Sequence, residues 1–373
     1  MGIRKNVAVV GGGIIGLAIA YTEAKAGSKV TVFEKNERAV GASIRNFGMV
    51  WPIGQPHGHM LQRALRSRQI WEEVAHSCGL WRDPVGSLHL AYRPDEVEVL
   101  EEFYASSAEK GYQCELLRPD QVKAISPATR LAGLQLGLLS KTEMIVDPRE
   151  VPLTLTEYLK EKFEVKFHYT TCVQAIEGNR LHTRDAKHVF DQIYVCCGSD
   201  LEILYPSQFL ATDITKVKLQ MLRTGPQPNN WRMGPSLCGG LTLTHYASFS
   251  HCSSLQALKN RIQEESPWFP KWGIHVMMSQ NGYGECVIGD SHEYGWVHDP
   301  FLREEVNQYI LEYLWGMVQV PEPTIETRWY GVYAKLPTQT ELIFQPNPAV
   351  TVVTGVGGAG MTLSFGLAEE VVG

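Results

Sequence analysis

The chain has 373 residues, of which 44% are hydrophobic and 20% charged, and its formal net charge is -6 at pH 7. This balance predicts a globular protein with a substantial core and excludes a disordered chain. No Lys/Arg-rich run indicates a nucleic-acid partner, and no apolar stretch is long enough to span a bilayer. The eight cysteines show no C-x-x-C pair and no Cys/His spacing typical of zinc, which predicts reduced thiols, no metal and a cytoplasmic enzyme.

The first predicted elements form a strand–helix–strand unit at the start of the chain. An apolar run from Asn6 to Val10 predicts a buried parallel strand, and helical spacing follows from Ile14 to Ala26, with Gly27 as its stop. A second strand covers Lys29 to Phe33, and Glu34 follows it directly. Strand, glycine turn, helix, strand and acid in this order predict a dinucleotide-binding unit.

The glycine turn of this unit has the spacing Gly11-x-Gly13-x-x-Gly16. Gly11 permits the tight turn, Gly13 lets the backbone approach a pyrophosphate, and Gly16 allows close packing of helix on strand. The helix N-terminus faces the phosphates, and Glu34 is expected to accept hydrogen bonds from the ribose hydroxyls. The turn alone does not choose between NAD and FAD.

Two further segments favour FAD. Residues 40–52, "VGASIRNFGMVWP", read as an extended, glycine-punctuated stretch where a plain NAD domain usually has a helix. Near the C-terminus, a strand from Val350 to Thr354 leads through a glycine-rich turn into another helix. A second unit of this kind suits a long ligand held at both ends, with a positive helix dipole stabilising the anionic reduced flavin ring.

The sequence pattern in the middle of the chain predicts helices and a mixed, largely antiparallel sheet. Helices are predicted over Leu61–Cys78, Asp95–Gly111, 148–162, a segment that Ser254 caps, and Asp299–Val318. Strands are predicted at 86–92, 164–171, 191–198 and 215–224, with a hairpin over 273–291 that turns at or near Asn281-Gly282.

The chain resembles the FAD-dependent oxidoreductases of the D-amino-acid oxidase superfamily, which includes glycine and sarcosine oxidases. The likeness covers essentially the whole chain and rests on the fingerprint, "GASIRNFG", "VDP" at 146–148, "DQIYVCCGSD" at 191–200 and "GVGGAGMT". It implies an α/β and α+β fold, with a Rossmann-like FAD-binding domain interleaved with a substrate domain of mixed, largely antiparallel sheet. The implied boundaries are 1–84, 141–200 and 325–373 for FAD, and 85–140 and 201–324 for substrate.

A narrower resemblance is to a bacterial clade whose genes tend to lie beside phosphonate-breakdown genes. It is carried by "RNFGMVWPIGQ", "GSLHLA", "KLQMLRT", "LTLTHYASF", "WGIHVMMSQN" and "IGDSHEYG". The resemblance implies oxidation of a small anionic amine, such as an aminophosphonate related to 2-aminoethylphosphonate. The substrate C–H bond gives a hydride to FAD, the imine hydrolyses, and molecular oxygen or another acceptor reoxidises the flavin.

The predicted catalytic residues are His275, His292 and Tyr294. His275 corresponds to the position at which sarcosine-oxidase relatives carry an oxygen-activating lysine, so it is the first candidate for a cation beside the ring. A hydrogen-bonded structural role is the open alternative for each residue. The reacting amine must be neutral, but no residue stands out by spacing as a dedicated base.

The substrate site departs from the usual pattern of the superfamily. Relatives hold the substrate carboxylate with an arginine in a "GxRP" segment, and here the corresponding stretch "WYGVYAKLP" has Tyr333 at that position. Bidentate recognition of an α-carboxylate is therefore not expected, and Lys335, Arg328, Lys218 or Arg45 would supply charge to another anion. Further substrate-contact candidates are Trp51, Gln220, His245 and Tyr246.

The fingerprint and the resemblance together predict the contacts of FAD. They fall on Gly11, Gly13, Ile14, Ile15, Gly16, Glu34, Lys35, Ser43, Arg45, Asn46, Gly48, Met49, Val173, Cys197, Gly198, Gly331, Gly357, Gly358, Ala359, Gly360, Met361 and Thr362. Cys196 and Cys197 are expected to be small neighbours of the flavin without a redox role. No residue of the 41–48 segment matches a covalent attachment site, so non-covalent FAD is predicted.

Three alternatives remain open at this point. The first is a glycine-, sarcosine- or D-amino-acid-type oxidase with an unusual carboxylate site, against which Tyr333 argues. The second is a FAD-dependent 2-hydroxy acid dehydrogenase, for which His275, His292 or His245 could take the hydroxyl proton. The third is a flavin-binding protein without turnover. The sequence does not indicate the oligomeric state.

Overall fold

The computed structural model of the chain describes residues 4–373. Its helices are α1 Ile14–Lys25, α2 His59–Cys78, α3 Pro94–Ser107, α4 Pro119–Ile125, α5 Val151–Phe163, α6 Pro206–Leu210, α7 Gly240–His245, α8 Leu255–Glu265, α9 Trp268–Lys271, α10 Glu304–Met317 and α11 Gly360–Val372. Its strands are β1 Asn6–Val10, β2 Lys29–Phe33, β3 Met49–Val50, β4 Arg82–Asp83, β5 Ser87–Ala91, β6 Cys114–Leu117, β7 Leu136–Ser140, β8 Met144–Val146, β9 Lys166–His168, β10 Val173–Glu177, β11 Arg180–Thr183, β12 Lys187–Val189, β13 Gln192–Val195, β14 Thr215–Pro226, β15 Ser236–Cys238, β16 Met277–Gln280, β17 Glu285–Gly289, β18 Glu293–Gly295, β19 Ile325–Lys335, β20 Leu342–Asn347 and β21 Val350–Thr354.

A six-stranded sheet in the order β20-β21-β13-β1-β2-β9 is built from both ends of the chain. All its pairs are parallel except β20–β21. Helix α1 packs against both α11 and α5, and α11 packs against α2. The continuous apolar runs of β1 and β21 therefore lie inside the core, as expected for parallel strands with covered faces.

The turn between β1 and α1 requires glycine at two positions. Gly11 has φ +108°, and a Cβ there would lie 2.3 Å from the carbonyl oxygen of Cys196. A Cβ on Gly16 would lie 2.0 Å from the carbonyl oxygen of Gly11. Both distances are far below van der Waals contact, so the close approach of α1 to β1 and β13 depends on these glycines.

A nine-stranded sheet in the order β18-β14-β17-β16-β15-β5-β7-β6, with β19 on the other edge of β14, forms the second layer. Its pairs are antiparallel except β15–β5. Strand β19, which the predicted boundaries group with the FAD-binding segments, pairs with β14 over almost its whole length. The domain boundaries stay a prediction, and two three-stranded sheets complete the fold.

The observed architecture confirms the predicted fold class, while several element ends differ from the prediction. The last predicted middle helix starts at Glu304 rather than Asp299, because the backbone carbonyls of Asp299 and Phe301 accept hydrogen bonds from Lys218. Ser254 occupies the N-cap position of α8, as predicted, but its side chain forms no capping hydrogen bond. Its hydroxyl donates to Glu102, and the Glu102 carboxylate accepts from the backbone N–H groups of Ser253 and Ser254.

Candidate active site

A cavity of about 670 Å³ runs between the carboxyl ends of the parallel strands and the inner face of the large mixed sheet. Both glycine-rich turns, the segment around residues 39–49 and one end of β19 line it. Ligands of open α/β sheets bind at the carboxyl ends of the strands, and helices α1 and α11 both begin here. The cavity therefore has the position expected for an extended dinucleotide, with a glycine-rich turn of each unit on its lining.

Glu34 organises the end of the cavity at the β1–α1 turn. Its Oε2 accepts a hydrogen bond of 2.9 Å from the Gly12 N–H, and its Oε1 accepts from the backbone and side-chain nitrogens of Asn36, both at 3.0 Å. The N–H of Ile14, in the first turn of α1, donates to the Ser43 hydroxyl at 2.9 Å. The predicted phosphate turn and the 41–48 segment are thus joined by direct hydrogen bonds.

Most of the predicted cofactor contacts line this cavity. Gly16 and Gly48 do not, and both serve packing. Gly48 has φ +74°, and a Cβ there would lie 1.9 Å from the Val146 carbonyl oxygen. The predicted residues on the lining are Gly11, Gly13, Ile14, Ile15, Glu34, Lys35, Ser43, Arg45, Asn46, Met49, Val173, Cys197, Gly198, Gly331, Gly357, Gly358, Ala359, Gly360, Met361 and Thr362.

The middle of the cavity combines a charged pair with buried thiols. Lys35 forms an ion pair with Asp200, which the sequence analysis does not include. Burial raises the pKa of the Cys197 thiol to about 12, and burial likewise raises the pKa of Cys196. Both thiols are therefore protonated at neutral pH, which fits the prediction that they have no nucleophilic role.

Three histidines converge at the opposite end of the cavity from Glu34. The ring centroids of His245 and His275 lie 3.8 Å apart with an interplanar angle of 24°, and His292 lies 4.8 and 5.2 Å from them. The Nε2 atom of His275 is 3.0 Å from Asp290 Oδ1, and His292 Nδ1 is 2.8 Å from the carbonyl oxygen of Gly273. Histidines distant in the chain thus share one wall of the cavity.

The electrostatics of this wall favour neutral imidazoles at two positions. Burial lowers the pKa of His292 to about 4; Asp290 and the Gly273 hydrogen bond act against this shift, and His275 and Lys335 act with it. His245 is exposed only toward the cavity, and this enclosure, together with His275, His292 and Lys335, holds its pKa well below its usual value. Burial raises the pKa of Tyr333 far above its usual value, so its hydroxyl stays protonated.

Of the predicted substrate and catalytic residues, some line the cavity and four do not. Lys218 and Gln220 lie on the other face of β14, where Lys218 binds backbone carbonyls and Gln220 binds Asn307. Arg328 pairs with Glu304, and Tyr294 is 58% exposed beside Lys335. The lining includes Trp51, His245, Tyr246, His275, His292, Tyr333 and Lys335.

Strand alternation explains what the sequence analysis missed. Leu219 and Met221 line the cavity, because they alternate with Lys218 and Gln220 along β14. Asp290 also lines it, and its backbone pairs with that of His275 in both directions. The proximity of Asp290 to His275 could have been predicted from the hairpin over 273–291, since a turn near Asn281-Gly282 brings residues 275 and 290 opposite each other.

The cavity lies between a Rossmann-like, largely parallel sheet and a large, mainly antiparallel sheet, which is the arrangement of a dinucleotide-dependent enzyme with a separate substrate-binding sheet. The sequence matches the family model "FAD dependent oxidoreductase" (DAO) over residues 6–373. The chain therefore belongs to the DAO family of FAD-dependent oxidoreductases, and it is a FAD-dependent enzyme. Among the described residues, no helix is both long and apolar enough to cross a membrane.

Solved structures of similar fold cover the whole chain. L-proline dehydrogenase from P. horikoshii superposes with a TM-score of 0.76 at 20% identity, covering 100% of this chain and 93% of that one. L-alpha-glycerophosphate oxidase from Mycoplasma pneumoniae, with FAD bound, has a TM-score of 0.74 at 17% identity, covering 99% and 94%.

Curated relatives match over shorter stretches. One subunit of the anaerobic glycerol-3-phosphate dehydrogenase from Escherichia coli is 26% identical over 146 residues, which are 38% of this chain and 26% of that protein. The match thus spans about a quarter of the relative's length.

The residues present fit FAD. The backbone at Gly11 and Gly13 is open toward the cavity, Ser43 and Glu34 fix the turn, and α11 begins at the far end. Trp51 lines the same cavity, and its Nε1 atom is buried without a hydrogen-bond partner among residues 4–373. A buried donor of this kind is normally satisfied, so a polar group of a bound molecule is its natural partner.

Proposed function

We propose that the protein oxidises a small anionic amine, and that its substrate is an aminophosphonate related to 2-aminoethylphosphonate. The observation that carries this proposal is the wall at the histidine end of the cavity. This wall contains Lys335, three histidines and Tyr333, and Tyr333 stands at the position where amino-acid oxidases of the superfamily are expected to have a carboxylate-binding arginine. Bound FAD would accept the hydride from the substrate carbon, and the solved relative L-proline dehydrogenase is named for an amine substrate.

The side chains of the wall would bind and orient the substrate. Lys335 supplies positive charge, and the protonated Tyr333 hydroxyl supplies a hydrogen-bond donor to an anionic group. Asp290 Oδ1 lies 3.0 Å from His275 Nε2, and both residues line the part of the cavity where the amine would bind. Leu219, Met221 and Met277 exclude water from the reacting carbon.

A second candidate is oxidation of a hydroxy acid or of a phosphorylated alcohol. The three histidines of the wall support it, because removal of a hydroxyl proton needs a base and His245, His275 and His292 all line the cavity. Two of the relatives above are named for glycerol phosphates. The two candidates differ in the atom that loses the proton, so substrate tests separate them.

The first experiment is anaerobic reduction of the flavin, followed by its visible absorbance. The panel contains 2-aminoethylphosphonate, its N-methyl and 1-hydroxy forms, glycine, sarcosine, D-amino acids, 2-hydroxy acids and glycerol 3-phosphate. Bleaching by an aminophosphonate alone supports the proposal. Bleaching by glycine, sarcosine or D-amino acids alone would overturn the phosphonate assignment, and bleaching by a hydroxyl substrate alone would favour the second candidate.

Tyr333→Arg tests the missing carboxylate clamp. A guanidinium at this position would offer two donors to a carboxylate, so the kcat/KM ratio of glycine to aminophosphonate is expected to rise at least about tenfold. Tyr333→Phe removes only the hydroxyl and serves as the matched control. If Tyr333→Arg retains FAD but leaves the ratio unchanged, position 333 does not contact the anionic end of the substrate.

We also propose non-covalent FAD and a reducing, cytoplasmic location. All eight cysteines lie in the described part of the chain and are free thiols. Acid precipitation followed by absorbance of the supernatant tests the cofactor linkage, since covalently bound flavin would stay with the pellet.

A further inference from the structure

The histidine wall has the chemistry of a metal site as well as that of a substrate pocket. His245, His275 and His292 each offer a ring nitrogen, and these three atoms lie within 4.8 Å of one another. The side chains come from the end of α7, from the segment before β16 and from the segment between β17 and β18. No spacing in the sequence indicates the cluster, because the fold alone brings the residues together.

The groups next to two of these rings indicate which nitrogen of each ring is available to a metal ion. His275 Nε2 lies 3.0 Å from Asp290 Oδ1 without forming a hydrogen bond to it, so a small rotation of either side chain would make Nε2 the donor to this carboxylate and leave the lone pair on Nδ1. Nδ1 is buried and has no hydrogen-bond partner among residues 4–373. His292 Nδ1 donates to the Gly273 carbonyl at 2.8 Å, which leaves the lone pair of His292 on Nε2.

This arrangement is typical of metal-ligating histidines. Such a histidine usually donates its second ring N–H to a carboxylate or a backbone carbonyl, which fixes the tautomer and raises the basicity of the ligand atom. Here the Gly273 carbonyl occupies that outer position for His292, and the Asp290 carboxylate stands 3.0 Å from Nε2 of His275, within reach of the same role. The carboxylate also offsets the positive charge of Lys335, which faces the same wall.

His245 supplies the adjustable third ligand. His275 and His292 are only 4% and 6% exposed, whereas His245 stands open on the cavity wall. Three nitrogens about 2.0–2.1 Å from a tetrahedral zinc ion lie about 3.3 Å apart, so the present spacing has to contract. A tilt of the His245 ring, which now stacks on His275, is the motion required.

We propose that His245, His275 and His292 bind one zinc-type divalent cation, with Asp290 and Gly273 as the groups that orient the ligands. Three histidines leave a fourth position of a tetrahedral ion free, and all three side chains line the cavity from which a ligand could reach it. The open position takes an oxygen of an anionic group, which supplies the charge that a carboxylate-binding arginine would otherwise provide. This last role rests on the proposed function, whereas the binding of the metal does not.

Zinc binding is measured directly on the chelator-treated holoenzyme, by isothermal titration calorimetry with zinc chloride and by elemental analysis after dialysis. We expect one zinc ion per chain. Affinity should fall more than about 100-fold in His292→Ala and roughly 10–100-fold in Asp290→Asn. His76→Ala, at an exposed position near the end of α2, should bind zinc like the wild type. No zinc binding, or equal affinity in Asp290→Asn, would overturn the site.

Loss of zinc binding is meaningful only in a variant that is still folded. Each variant is checked by circular dichroism and by its flavin content before titration. His245→Ala is the variant least expected to disturb the fold, since this side chain is exposed toward the cavity and forms no side-chain hydrogen bond within the described residues. If folded His245→Ala binds zinc as tightly as the wild type, the three-histidine assignment is wrong.

The anion role is tested with ethylphosphonate, which lacks an amine and is not oxidised. Its affinity is expected to rise at least tenfold in zinc-loaded enzyme compared with chelator-treated enzyme. Equal affinities of the two forms for ethylphosphonate would show that the metal does not bind the anion, without contradicting the metal site itself. Zinc binding in a protein whose flavin no amine bleaches would overturn the proposed function and leave the metal site intact.

Discussion

Glu34 links the β1–α1 turn to the end of β2 through a single buried carboxylate. One oxygen accepts from Gly12 and the other from Asn36, so the side chain holds the backbone of the turn in place. Because an ionised carboxylate has about four lone-pair sites, both oxygens can still accept from ribose hydroxyls. The same group can therefore shape the phosphate turn and contact the cofactor.

Glu34→Gln is expected to weaken FAD binding about 10- to 100-fold. The amide replaces one charge-assisted acceptor by a donor, and each such bond contributes roughly 1.5–3 kcal/mol. Equilibrium dialysis of the deflavinated protein against FAD measures the change. Glu37→Gln, at an exposed position three residues later, is the matched control and should bind FAD like the wild type. Equal affinity in both variants would show that Glu34 does not contribute to the site.

At the scale of single elements, Glu102 on α3 acts as the N-terminal cap of α8. The backbone N–H groups of Ser254 and Ser253 and the Ser254 hydroxyl lower the pKa of this carboxyl from 4.5 to about 2. A lowered pKa in the folded state means that the stabilisation is fully present above about pH 4.5. It is lost as the pH falls through about 2.

Glu102→Gln should therefore lower the free energy of unfolding by roughly 1 kcal/mol at neutral pH, a modest value because the group is close to solvent. Urea denaturation at a series of pH values measures the difference, which should shrink as the pH falls from about 4.5 toward 2. Glu101→Gln, at the neighbouring exposed position, provides the comparison. A difference that does not depend on pH would contradict the capping role.

Elements with a strong local pattern were predictable, and pairings between distant segments were not. The bounds of β1, β2 and β21 agree with the sequence analysis, since apolar runs and flanking glycines determine them locally. Ser254 was predicted at the N-cap of α8, but the Glu102 carboxylate that binds it was not, because this carboxylate comes from a helix about 150 residues earlier. Asp290 was missed, because its position beside His275 depends on the hairpin register.

At the scale of the whole molecule, the cavity depends on contacts between the two ends of the chain. Helix α11 begins at the cavity and packs on both α1 and α2, so the C-terminal segment forms part of the cavity wall. Two arginines of α2 attach to α11 through consecutive glutamates. Arg63 binds Glu370 and Arg66 binds Glu369, each through two hydrogen bonds. The two pairs differ mainly in burial.

Comparing Arg63→Ala with Arg66→Ala shows how much a buried ion pair between α2 and α11 contributes to the free energy of unfolding relative to an exposed one. The Arg63 side chain is only 5% exposed and also binds Glu341 at 2.9 Å, whereas Arg66 is 44% exposed. Loss of Arg63 leaves the poorly exposed Glu341 carboxylate unpaired, so the free energy of unfolding should fall by about 2–4 kcal/mol. Loss of Arg66 should cost less than about 1 kcal/mol. Urea denaturation of the two FAD-saturated variants makes the comparison. Equal losses would show that the buried network does not hold α11, and the attachment would then depend on apolar packing alone.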